Sequence, residues 1–154
     1  MRVEARWASD MRFEGTNEDG LRVVMDAHPD HGGTGGGPTP MESLLLALAG
    51  CTGMDMIPML RKMRAPVERF VIEVTGERAH EHPKVLTAIH LRYLAAGRGL
   101  RAEQVEKAAA LSQEKYCSVS AMLRKAAPVT YDVVVTDTGD AVLSAGPVSV
   151  GHAG

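Results

Sequence analysis

The sequence predicts an α+β fold in a single domain over residues 1–136, followed by a tail over 137–154. Three observations carry this. Segments of period-two alternation and segments of helical period follow one another in the order β-β-β-α-β-β-α-β. The strands are grouped rather than interleaved one by one with helices, which argues against a doubly wound parallel sheet. The stretch from Met41 to Met63 is apolar nearly all round, so it calls for burial on most sides. That is more cover than one chain supplies, and a homodimer is expected.

Met1–Trp7 alternates Val3, Ala5 and Trp7 with Arg2, Glu4 and Arg6 and reads as a half-buried strand. Met11–Gly15 is a short strand-like piece, Asn17-Glu18-Asp19-Gly20 a turn, and Leu21–Met25 a second strand. The glycine-rich run from His28 to Gly37 is a loop, either flexible or shaped around a ligand. Thr39 suits a helix N-cap and Pro40 the first helical position. Pro58 should kink the central helix, Arg61, Lys62 and Arg64 favour its C-terminal end, and Pro66 stops it. Met56, Met59 and Met63 fall on one stripe. Phe70–Thr75 and Val85–Ala95 form an antiparallel hairpin joined by the polar link Gly76–Pro83. Ala102–Lys125 is helical, either as one helix or as two joined near Ser112, and Val129–Val135 is the last strand. The two helices can back onto the sheets.

Charge excludes some classes. A net charge of -2 and a pI near 6.3 leave no electrostatic footprint for nucleic acid or an anionic membrane. Met1–Asp10 has no apolar core of a secretory signal, and the apolar run Leu44–Ala49 is far short of a membrane span. A cytoplasmic protein is expected. Two cysteines are too few for a disulfide scaffold, and nine methionines against 4% aromatics predict an aliphatic, methionine-rich core.

Cys51 lies part-way along the central helix, with Gly50, Thr52 and Gly53 leaving little bulk beside it. A free cysteine in such a place is often inert filler. Cys117 has the same bland reading, with Val119, Met122 and Leu123 around it. Two cysteines on two core helices can also meet across a pocket, and such a pair reads as attacking and resolving thiols. No metal is expected, because the cysteines are isolated singles and His80-Glu81-His82 has no partner spacing. The glycine loop lacks the lysine and hydroxyl residue of a phosphate loop, and no cofactor motif is present.

Gly37-Pro38-Thr39-Pro40-Met41-Glu42 leading to Ala49-Gly50-Cys51, then Gly97-Arg98-Gly99-Leu100, then Ser112-Gln113-Glu114-Lys115-Tyr116-Cys117-Ser118-Val119 resemble the OsmC/Ohr family, in its OsmC-like branch. The resemblance implies antiparallel sheets wrapped around two long central helices in an intertwined homodimer with interfacial sites. It implies peroxidase chemistry on small apolar organic hydroperoxides. Cys51 would be the peroxidatic thiolate and Cys117 the resolving thiol, with an external dithiol, lipoyl-type or thioredoxin-like, as reductant. It further implies an activating arginine, for which Arg12 is the candidate, held by an acid, for which Glu42 is the candidate. Counting back from Cys51, the family's acidic position falls on Met41, and Glu42 follows it. On an ideal helix Glu42 stands about 180° round from Cys51. Glu42 therefore also suits the positive helix N-terminus. The alternative to catalysis is a dimer that binds a small molecule or senses redox state with the same pocket.

Overall fold

The computed structural model describes residues 1–137. Contacts group the chain into two units, Met1–Ala47 and Leu48 onward. The expected tail lies outside the described residues except for Asp137, whose carboxylate accepts from the Gly99 N–H at 3.0 Å.

The first unit is a three-stranded antiparallel sheet, β1 (Val3–Ser9), β2 (Arg12–Asn17) and β3 (Arg22–Met25), in that order. Ala5 pairs with Gly15, and Gly15 with Val23. The second strand runs further than Met11–Gly15 because the pairing continues to Asn17, whose side chain then accepts from the Leu21 N–H at 2.9 Å and closes the turn. The half-buried reading of β1 is corrected. Val3 and Trp7 are 75% and 67% exposed, so alternation identified the strand but nothing among the described residues covers its apolar face.

The glycine loop is neither slack nor a phosphate cradle. Asp26, at the end of β3, is 1% exposed. Its Oδ2 accepts from the Thr34 hydroxyl at 2.6 Å and from the N–H groups of Thr34 and Gly36 at 3.1 and 3.0 Å. Its Oδ1 accepts from the Ala27 N–H at 2.8 Å. Gly33 is required because a side-chain carbon there would fall 1.9 Å from the Ala27 carbonyl oxygen. The hydrogen bond from Thr34, followed by that from Gly36, holds the Asp26 carboxyl down to about 2. An unfolded aspartate titrates near 3.9. The stabilisation is thus fully present above pH ~4 and lost as pH falls from ~4 to ~2. We expect the melting temperature to drop across that window in the wild type and to be flatter in Asp26→Asn. Parallel acid profiles for the two proteins would sink this account.

Helix α1 (Pro40–Lys62) starts where Thr39 and Pro40 predict. The Glu42 N–H donates to the Thr39 hydroxyl at 3.3 Å and the Thr39 N–H to the Glu42 carboxylate at 2.6 Å, a reciprocal capping box. The helix closes with Ala65 N–H on the Leu60 carbonyl and Arg64 N–H on that of Arg61, with Arg64 at φ 52°. At 23 residues and mean hydropathy 1.5, α1 meets the length and composition of a membrane span. Leu48, Thr52, Met56 and Leu60, one residue in four, form the buried face of α1 within the chain. Of the expected Met56–Met59–Met63 stripe, Met56 is fully buried and Met59 and Met63 are half-buried. Leu46 and Met54 are 60% and 79% exposed, so the single chain does not by itself bury α1 on most sides.

In the second unit, β4 (Arg69–Arg78), β5 (Leu86–Ala96) and β6 (Val129–Thr136) form a sheet with β5 central. The hairpin β4–β5 is antiparallel, pairing Ile72 with Tyr93, and it shortens the expected link because β4 stays paired through Arg78. The expectation of purely antiparallel sheets is corrected here: β6 runs parallel to β5, Tyr93 opposite Val133. The chain crosses over through helices between the two strands, so β6 enters in the direction of β5. Ile89, Leu91, Tyr93, Val105, Ala108 and Ala109 are all at most 1% exposed and form the core.

Of the two readings of Ala102–Lys125, the one with a join near Ser112 holds, so the second long helix implied by the resemblance is corrected. It divides into α2 (Ala102–Leu111), a π turn at Ser112–Tyr116, and α3 (Ser118–Leu123). The Cys117 N–H bonds the Ser112 carbonyl at 2.8 Å, five residues back, and Cys117 itself is extended at φ -70°, ψ 103°.

Candidate active site

Cys51 sits on α1, half-buried, and Cys117 at the break between the π turn and α3, 2% exposed. The two sulfurs and an Asp55 carboxylate oxygen all lie within 4.8 Å of one another. Asp55 is one helical turn after Cys51 and shares its face. Cys117 accepts from the Ser120 N–H at 3.4 Å, and its sulfur lies within 4.8 Å of the Cys51 sulfur. Burial pushes the Cys117 thiol up to about 11, and the nearby Cys51 and Asp55 add to the rise. Cys117 is therefore a protonated donor at neutral pH. The flanking glycines act differently from each other. A side-chain carbon at Gly53 would meet Ile72 of β4 at 3.1 Å, so Gly53 lets helix and sheet approach, while Gly50 faces open space.

Beneath the sulfurs runs a buried polar chain whose direction follows from counting protons. Ser112 donates to Asp55 Oδ2 at 2.9 Å. Its single proton is then committed, so the 2.8 Å contact with Thr52 is donated by Thr52. Thr52 must in turn accept from Tyr93 at 2.8 Å, and Tyr93 from the Gln113 amide N–H at 2.7 Å. The Gln113 carbonyl accepts from Ser120 at 2.6 Å and from the Arg124 guanidinium at 3.0 Å, which fixes the orientation of the amide. Burial raises the Tyr93 hydroxyl above its ordinary value, keeping it a donor. Thr52, Tyr93, Ser112 and Ser120 are 0% exposed. Every donor in the line points toward Asp55, and such chains reinforce themselves at low dielectric.

Of the four candidate residues from the sequence, the structure brings Cys51 and Cys117 together. Arg12 and Glu42 belong to the first unit and are engaged locally. Arg12 donates to Glu14 at 3.4 Å beside Gly36 of the loop, and Glu42 serves the capping box. Sequence reasoning missed Asp55, whose spacing of four from Cys51 was the available signal. It also missed the hydroxyl and amide chain, which has no linear signature. Beside Asp55 opens a cleft of about 660 Å³ lined by Met54, Met59, Met63, Leu111 and Tyr116, with Lys62 and Lys107 also on its wall.

A family model described as OsmC-like protein matches residues 33–132. The chain is 37% identical over 136 residues to Protein YhfA of Escherichia coli K12, covering 87% of this chain and 98% of that protein. Among solved structures, a hypothetical protein from Aquifex aeolicus VF5 is 30% identical, with a TM-score of 0.72 over 88% of this chain and 96% of its own. An organic hydroperoxide resistance protein OsmC from Legionella pneumophila shares the fold at 18% identity, with a TM-score of 0.64 over 87% and 96%. The matched span holds both cysteines and the polar chain beneath them, and by sequence and by fold alike the chain belongs to the OsmC-like protein family.

Proposed function

We propose that the chain is a thiol peroxidase that reduces organic hydroperoxides through a cycle between Cys51 and Cys117. The observation that carries the reading is the close pair of sulfurs, within 4.8 Å of each other, one half-buried and the other buried. The Cys51 thiolate attacks the terminal peroxide oxygen. The O–O bond breaks, the sulfur becomes a sulfenic acid, and the alkoxide takes a proton and leaves as an alcohol. Cys117 then attacks the Cys51 sulfur, forming S–S, breaking S–O and releasing water. Cys117 must lose its proton in that step, and Asp55, held in place by Ser112, is the base within reach. An external dithiol, lipoyl-type or thioredoxin-like, restores both thiols by exchange and no bound cofactor enters.

The largely apolar cleft beside Asp55 supports organic peroxides over hydrogen peroxide, as does the name of the Legionella relative. Reduced protein should lose both thiols rapidly with cumene hydroperoxide, and more slowly with hydrogen peroxide. Persistence of both thiols under the organic peroxide would overturn the reading. We assign the work to the cytoplasm, where dithiols are kept reduced, and fractionation into another compartment would refute that.

The exposed apolar residues Val3, Trp7, Phe13 and Val23 of the first sheet support a homodimer. Sedimentation should give twice the 16.5 kDa of one chain, and a monomer at micromolar concentration would end the proposal. One observation favours the non-catalytic alternative, a binding or redox-sensing dimer: the Glu42 carboxylate is taken up by the Thr39 N–H. Under that reading oxidation is slow and an apolar ligand copurifies.

A further inference from the structure

We propose that Cys51, Asp55 and Cys117 form a site for a thiophilic divalent metal ion of the zinc type, with a fourth position open. The donor set is two sulfurs and one carboxylate oxygen, all within 4.8 Å of one another. Sulfur donors select zinc and its soft relatives over magnesium or calcium, and the carboxylate is compatible with zinc. A tetrahedral ion at about 2.3 Å from sulfur and 2.0 Å from oxygen holds its ligand atoms roughly 3.5–3.8 Å apart. From the present spread of up to 4.8 Å the ligand atoms must close by about 1 Å on binding. Cys51 and Asp55 approach from one face of α1, and Cys117 from an extended residue fixed between two helical turns.

The surroundings are those of a ligand set. Ser112 donates to one Asp55 oxygen, as outer-shell donors do for a ligating carboxylate, and leaves the other free. Ser112 is itself held by Thr52 and the chain behind it. On binding, each sulfur that is still a thiol releases its proton to solvent, two metal–sulfur bonds form, and no electron is transferred. Metal binding and disulfide formation exclude one another, since both use the same two sulfurs.

The test titrates reduced, full-length protein without oxygen, using Cd²⁺ for the thiolate charge-transfer band and Zn²⁺ against a chromophoric chelator. We expect one equivalent per chain, with proton release. Asp55→Asn should weaken Zn²⁺ binding about 10–100-fold, and Cys117→Ser by at least as much. Absence of a saturable single equivalent, or unchanged affinity in either variant, overturns the site. Should the variants fail to fold, X-ray absorption of the zinc-loaded wild type decides. Two sulfurs with oxygen in the coordination shell support the site, and fewer than two sulfurs reject it. No peroxide enters these measurements, so the outcome is independent of the peroxidase reading.

Discussion

Cys51→Ser should abolish peroxide-driven thiol loss and turnover, lowering the rate by more than about 10³-fold, because a serine hydroxyl is not ionised at neutral pH. Cys117→Ser separates the two steps. Its single remaining thiol should still be oxidised, but the product should accumulate as sulfenic acid and pass on to sulfinic acid, with no intramolecular disulfide. Asp55→Asn should leave the first oxidation fast and slow the appearance of the disulfide, since Cys117 is pushed up to about 11 and loses its nearest base. Stopped-flow thiol trapping with mass spectrometry reads all three. Full activity in Cys51→Ser would rule out the proposed cycle.

Thr52→Val should cost about 2–4 kcal/mol of stability. Valine keeps the shape of threonine, so the loss isolates the hydroxyl. That hydroxyl is the middle link of the polar chain, donating to Ser112 and accepting from Tyr93. Removing it leaves two fully buried hydroxyls short of a partner, each worth about 1–3 kcal/mol when orphaned. Denaturant unfolding measures the difference, and a loss below about 0.5 kcal/mol would mean that the chain does not act as a unit. The same variant loosens Ser112 and with it Asp55, so slower disulfide formation should accompany the lost stability.

Much of this was legible in the sequence where the signal is local. Thr39 and Pro40 mark the start of α1 because capping depends on residues three apart. The alternation of Ile89, Leu91 and Tyr93 marks β5 because each strand face is read from one segment. What escaped depends on partners distant in the chain. Asp26 looks like any acid at a strand end until the loop folds back and supplies Thr34 and Gly36. Trp7 alternates as a buried residue would, yet periodicity cannot tell which chain covers the face. The break before Cys117 carries neither glycine nor proline, so composition offers no warning of it. The two sulfurs could be listed from the sequence, but their meeting and the carboxylate beside them are properties of the folded second unit.

The π turn makes sulfur pairing a matter of phase. Over Ser112–Tyr116 the backbone bonds reach five residues back instead of four, so this stretch holds one residue more than a regular helix would over the same rise. Within it the neighbours Ser112 and Gln113 both face inward, one toward Asp55 and the other toward Tyr93. In a regular helix successive side chains diverge by about 100°. The reach of Cys117 for Cys51 thus behaves like a vernier: one residue gained or lost upstream would turn everything beyond it by over a quarter of a circle. A lineage that regularised this turn could keep both cysteines, the fold and the core, and still have uncoupled its two thiols.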